Sequence, residues 1–109
     1  MAATDFQLPS PLAVSVADGR ATVHVAGDLD LLTIPDLAAA LDVLAAQHLT
    51  RIEVDLREVP RIDSSAVELL ATTHARLCSR GGRLCIVGAS HAVEEHLRRR
   101  GLQGLLRAR

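Results

Sequence analysis

The stretch from Arg51 to Leu56 places the strongest constraint on the fold of this chain. Ile52, Val54 and Leu56 alternate there with Arg51, Glu53 and Asp55. A period of two marks a β-strand, and charge at every second position means that only one of its faces meets a continuous apolar layer. On either side of this strand the apolar period lengthens to that of a helix. Before it, Ile34, Leu37, Ala38, Leu41, Leu44 and Ala45 form one stripe; after it, Val67, Leu70, Ala71, His74, Leu77 and Cys78 form another. A strand between two one-sided helices predicts a sheet covered by helices on one side, with right-handed crossovers between parallel strands.

The remaining elements follow from local signals. Leu12, Val14 and Val16 alternate, Asp18-Gly19 interrupts, and Ala21, Val23 and Val25 alternate again, which predicts two antiparallel strands joined by a tight turn. Thr33 is placed to cap the first helix, with Pro35 in its first turn and Asp36 at the capping-box position. The second helix is expected from Ser64 to Arg80, ended by Gly81-Gly82. Leu84 to Val87 reads as a short strand, and Ser90 as the cap of a third helix running to Arg100 before Gly101. The predicted order is β-β-α-β-α-β-α, an α/β fold with a mixed sheet. Residues 1–11, with two prolines and little periodicity, are expected to be a flexible N-terminal arm, and residues 12–109 a single domain.

Composition narrows the functional classes. The chain has 109 residues, 49% hydrophobic and 23% charged, with a net charge of −1. That profile is globular, and the charge is too small to draw the whole molecule to nucleic acid or anionic lipid. Phe6 is the only aromatic residue, so base-stacking platforms are excluded and no direct contact with nucleic acid is expected. No apolar run approaches the ~20 residues of a membrane helix, and the first residues lack the pattern of a secretion signal, so a cytoplasmic protein without membrane insertion is expected. Every one of the 12 basic residues outside histidine is Arg; His96-Leu97-Arg98-Arg99-Arg100 is their densest cluster and reads as a solvated helix face, while Leu97, Leu102, Leu105 and Leu106 are expected to pin that end of the chain.

No metal or cofactor site is expected. Cys78 and Cys85 lack metal-ligand spacing and read as idle thiols in a reducing compartment, and His91 and His96, five apart, do not project together from a helix. His74, on the apolar stripe, reads as a satisfied boundary histidine. Ser64, Asp30 and a histidine do not suggest a hydrolase, because no Gly-x-Ser-x-Gly elbow surrounds the serine. The chain is not expected to be an enzyme.

The informative motif is Ile62-Asp63-Ser64-Ser65, which carries a turn into the second helix. Capping accounts for part of it, since Ser65 and Glu68 have the spacing of a capping box. A second serine is left over. Free N–H groups at a helix start also tolerate a phosphate there.

Together with Gly27-Asp28-Leu29-Asp30 after a strand, this motif resembles the STAS domain of bacterial anti-sigma factor antagonists, and the likeness in element order extends from about Leu12 to Leu106. The resemblance implies a STAS-like mixed sheet with the helices on one face. It implies phosphorylation at Ser64, the serine directly after the aspartate, and places Asp30 close to that site. Asp28, Asp30, Asp63, Ser64, Ser65, Ala66, Val67 and Glu68 are then the expected partner-binding residues. The implied partner is an anti-sigma factor with a GHKL-type serine kinase fold, whose capture releases a sigma factor until phosphorylation ends the binding. STAS domains also serve lipid-transport ATPases and stressosome-like scaffolds, and that alternative needs no phosphate. Many members follow the serines with Gly, an aliphatic residue and a small residue; this chain has Ala66, Val67 and Glu68, and Glu68 lies one turn from Ser64.

Overall fold

The computed structural model describes residues 4–7 and 12–107. Six strands, β1 (Thr4–Gln7), β2 (Leu12–Ala17), β3 (Arg20–Ala26), β4 (Arg51–Glu58), β5 (Arg83–Val87) and β6 (Leu106–Arg107), form one sheet in chain order. The β1–β2 and β2–β3 pairs are antiparallel, and β3–β4, β4–β5 and β5–β6 are parallel. Three helices fill the crossovers: α1 (Ile34–Ala45), α2 (Ser64–Cys78) and α3 (His91–Arg99). Because each crossover steps to the next strand in the same direction, right-handedness puts all three helices on one face. The expected mixed α/β sheet with one-sided helices is the observed architecture.

Two strands had no counterpart in the sequence reading. Thr4–Gln7 forms β1 along β2, within the stretch expected to be an N-terminal arm; residues 1–3 and 8–11 lie outside the described residues. At the other end, Leu106 and Arg107 pair with Ile86 and Val87. Both strands are too short to show a period, and each forms because a neighbouring strand offers unpaired backbone groups.

The core lies between the sheet and the helices. Ile52, Val54 and Leu56 of β4 are fully buried, as are Leu37 and Leu41 of α1, Val67 and Leu70 of α2, and Val93 and Leu97 of α3. Leu105 is buried and Leu102 and Leu106 pack against the core, so the leucines of the tail do pin it. The helix-free face is drier than the charge alternation suggested. Asp55 is 8% exposed there and is held by His24 Nδ1 at 3.2 Å and by the Arg57 backbone N–H at 2.9 Å. In the middle of a sheet, long side chains of adjacent strands cover a short acid even where no helix does.

The turns follow the residue chemistry. Asp18 and Gly19 both have positive φ, 54° and 74°, as a two-residue hairpin turn of the primed type requires. α2 stops at Cys78, two residues before the expected Arg80, and Gly82 N–H then donates to Leu77 O at 2.8 Å. α3 is capped as predicted, with Ser90 Oγ accepting from Val93 N–H at 3.3 Å. It ends at Arg99, one residue short of the expectation.

Candidate functional site: two loops joined at the start of α2

Past their last strand residues, β3 and β4 remain together. Gly27 N–H donates to Glu58 O at 2.9 Å, Leu29 N–H to Arg61 O at 3.0 Å, and Asp63 N–H to Leu29 O at 2.9 Å. Leu29 and Ile62 thereby form an isolated parallel bridge, with both side chains buried. This bridge brings Gly27-Asp28-Leu29-Asp30 alongside Ile62-Asp63-Ser64. Gly27 has φ of 91°, a conformation that strains any residue with a Cβ, and there the chain leaves β3 for the loop.

The first loop is held by its own side chains. Thr33 Oγ1 accepts from Asp30 N–H at 3.0 Å and lies 3.0 Å from Asp28 O, to which it donates. It makes no cap bond to α1, contrary to the expectation from the sequence, because the loop behind it takes the hydroxyl. Asp30 Oδ1 accepts from Leu32 N–H at 2.9 Å, an Asx turn that fixes the acid at the loop's surface. Asp28 Oδ2 lies 3.8 Å from Arg61 Nε, while its Oδ1 is buried without a hydrogen-bond partner. The turn leaves Leu31 and Leu32 pointing outward, 73% and 86% exposed.

In the second loop Asp63, not Ser65, is the N-cap residue of α2, and its side chain makes no cap bond. Ser64 is the first helical residue and Ser65 the second. The expected capping box of Ser65 and Glu68 is therefore not formed: Ser65 already has helical geometry, and the Glu68 carboxylate turns to Arg100 at 3.1 Å. Asp63, Ser64, Ser65 and Glu68 are all exposed. Ala66 and Val67, expected on the docking surface, are both 0% exposed. They belong to the core, because the first turn of α2 lies over the sheet and only the residues before and after them face outward.

Ser64 Oγ lies 3.4 Å from His96 Nε2 on α3. The sequence reading places His96 in a solvated basic cluster and sets it aside as a metal ligand beside His91, but does not pair it with Ser64. The signal available was the spacing of four between His96 and Arg100, matched by Ser64 and Glu68 on α2. Ser64, His96 and an acid do not assemble as a triad: among the described residues no carboxylate lies within ion-pair distance of His96, and Asp30 is engaged by its own loop. Nor do the described residues include a group of three or more His, Cys, Asp or Glu placed to hold a metal ion. His74 is the boundary residue expected, its Nδ1 accepting from Leu84 N–H at 3.1 Å. Cys78 is exposed, Cys85 is buried, and both are free.

With this geometry in view, the family model described as Mlab, STAS domain matches residues 12–107. The chain belongs to the STAS domain family. Among STAS relatives, the anti-sigma-F factor antagonist RsfB of Mycobacterium tuberculosis is 31% identical over 71 residues, 63% of this chain and 58% of that protein. The match thus spans less than two thirds of that relative's length. The anti-sigma factor antagonist SpoIIAA in its unphosphorylated form superposes with a TM-score of 0.82 at 19% identity, over 90% of this chain and 87% of that one. The phosphorylated form of SpoIIAA, a Bacillus cell fate determinant, gives 0.72 at 18% identity, over 99% and 91%. A sulfate transporter family protein from Wolinella succinogenes shares the fold at a TM-score of 0.70 and 22% identity, over 84% and 78%. At these identities the structural likeness is one of fold. Among the described residues no helix is long and apolar enough to cross a membrane.

Proposed function

We propose that this STAS domain is a cytoplasmic anti-sigma factor antagonist, a binding protein without catalytic activity of its own. It captures an anti-sigma factor with a GHKL-type serine kinase fold, releases the sigma factor, and is switched off by phosphorylation at Ser64. The observation that carries this reading is the exposed Ser64 hydroxyl at the first residue of α2, tied by the Leu29–Ile62 bridge to a loop that presents Asp30, Leu31 and Leu32. The names of RsfB and SpoIIAA support it, as does the phosphorylated form in which SpoIIAA is known. The docking surface comprises Asp28, Asp30, Leu31, Leu32, Asp63, Ser64, Ser65 and Glu68.

The switch follows from charge. The partner's kinase transfers the γ-phosphoryl group of ATP to Ser64 Oγ; the hydroxyl proton is lost and ADP leaves. The serine then bears about −1.5 to −2 charges beside Asp63 and Glu68. In a closed interface, two charges ~4 Å apart at an effective dielectric of ~20 interact by about 4 kcal/mol, and each ~1.4 kcal/mol is tenfold in affinity. An acidic or apolar partner surface is repelled on that scale. At an exposed rim the effect drops to ~1 kcal/mol or less, so the switch requires Ser64 inside the interface.

The test is phosphorylation by the cognate kinase with ATP, read by intact mass. Wild type gains one phosphate and Ser64→Ala gains none; a phosphate that persists in Ser64→Ala sinks the assignment. Calorimetry of Ser64→Glu against the partner should show weakened binding with the fold intact. A second reading is supported by the apolar pair Leu31 and Leu32, which can dock without phosphate, and by the family description. It makes the domain a phosphorylation-independent subunit of a lipid-transport ATPase or a stressosome-like scaffold. Unchanged affinity of Ser64→Glu would favour that reading.

A further inference from the structure

Helices α2 and α3 face each other through two rungs. Ser64 Oγ lies 3.4 Å from His96 Nε2, and Glu68 Oε2 lies 3.1 Å from Arg100 Nη2. On each helix the two residues are four apart, so the rungs sit about one turn, ~5.4 Å, from each other on the same seam. All four side chains lie at the surface, and an ion pair as exposed as that of Glu68 and Arg100 adds little to stability. A stabilising role therefore leaves the arrangement largely unexplained.

The charges around Ser64 are divided between the helices. α2 and its N-cap supply acids, Asp63 and Glu68, whereas α3 supplies the imidazole of His96 and its C-cap the guanidinium of Arg100. A phosphate on Ser64 would meet a like charge at Glu68, an unfavourable pairing at that spacing. Arg61, the nearest cation in the chain before Ser64, is already turned toward Asp28 at 3.8 Å.

We propose that His96 of α3 and Arg100 at its C-cap form a phosphate-receiving pair, which takes the phosphomonoester at Ser64 and holds it against this chain. The inference rests on phosphorylation at Ser64, proposed above. A phosphoryl group carries its three acceptor oxygens beyond Oγ, into the side of the seam where the imidazole nitrogen already stands. The Arg100 guanidinium has five N–H donors in a planar fork, so one edge keeps Glu68 while another meets the phosphate. Arg100 thus offsets the repulsion that Glu68 would otherwise impose. Phosphorylation then draws on contacts within the domain as well as repelling the partner, and the modified state is held by α3 when the partner has left.

The test installs phosphoserine at position 64 during translation, by reassigned-codon incorporation, so that no kinase is needed. The phosphorus NMR signal of that residue is followed against pH in the otherwise wild-type protein and in His96→Gln, Arg100→Gln and Arg76→Gln. Nearby N–H donors and positive charge favour the dianion, so His96→Gln and Arg100→Gln should each raise the titration midpoint by roughly 0.2–0.7 pH unit, the size expected of an exposed polar contact. Arg76, paired with Asp42 about 18 Å farther along α2, should leave it unchanged. Equal midpoints in all four proteins, an equal rise in Arg76→Gln, or a rise in only one of the two α3 variants would overturn the pair. The outcome is separable from the kinase assay, whose failure would remove Ser64 as the natural acceptor and leave the titration result standing.

Discussion

Leu29 and Ile62 continue the parallel pairing of β3 and β4 beyond the ends of both strands, in a bridge flanked by the Leu29–Arg61 and Asp63–Leu29 backbone hydrogen bonds. Leu29 is 1% exposed, so the bridge is also a packing contact beneath the functional surface. Leu29→Ala is expected to cost about 2–5 kcal/mol, as other buried leucine truncations do. The check is urea denaturation: the midpoint should fall while the slope remains unchanged.

Ser65 and Ser90 separate sequence pattern from cap geometry. Ser65 has the capping-box spacing but sits inside α2, and Ser90 accepts a hydrogen bond from Val93 N–H. Ser90→Ala should destabilise by about 0.5–2 kcal/mol, and Ser65→Ala by less than ~0.5 kcal/mol. Thermal unfolding of the two variants beside wild type measures the difference; equal losses would restore Ser65 as a cap.

Leu31 and Leu32 are the large apolar residues most exposed on the chain's described surface, and they adjoin Asp30. Leu31→Ser and Leu32→Ser should leave stability within ~0.5 kcal/mol of wild type, since neither packs on the core. Each should weaken partner binding by more than ~1 kcal/mol, at least about fivefold, if it anchors the interface. Calorimetry against the partner decides, and unchanged affinity in both variants would remove the loop from the docking surface.

Asp55 accepts from the Arg57 backbone N–H and faces His24 and Arg57 side chains on the helix-free side. Asp55→Ala strands that donor near the middle of the sheet, so a loss of about 1–3 kcal/mol is expected. His24→Gln, at an exposed position, should cost less than ~0.5 kcal/mol. Denaturant titration of the pair distinguishes a buried acceptor from a surface ion pair.

Much of this architecture was legible along the chain. The hairpin turn at Asp18-Gly19, the three helices and the charged alternation of β4 are each written in neighbouring residues, and side-chain period and turn chemistry act over a few positions. The motifs around Asp30 and Ser64 were legible for the same reason. β1 and β6 were not, because four and two residues carry no period and their pairing depends on an open strand edge elsewhere.

The site divides in the same way. Local order settled that a serine stands at the start of a helix and that an acidic loop follows a strand. Tertiary packing decided which neighbours those residues have: it buried Ala66 and Val67, took Glu68 from Ser65 to Arg100, and set His96 against Ser64. Each of these depends on how α2 lies over the sheet and beside α3. Contacts between residues distant in sequence are set by packing the whole core, and no local period or cap encodes them.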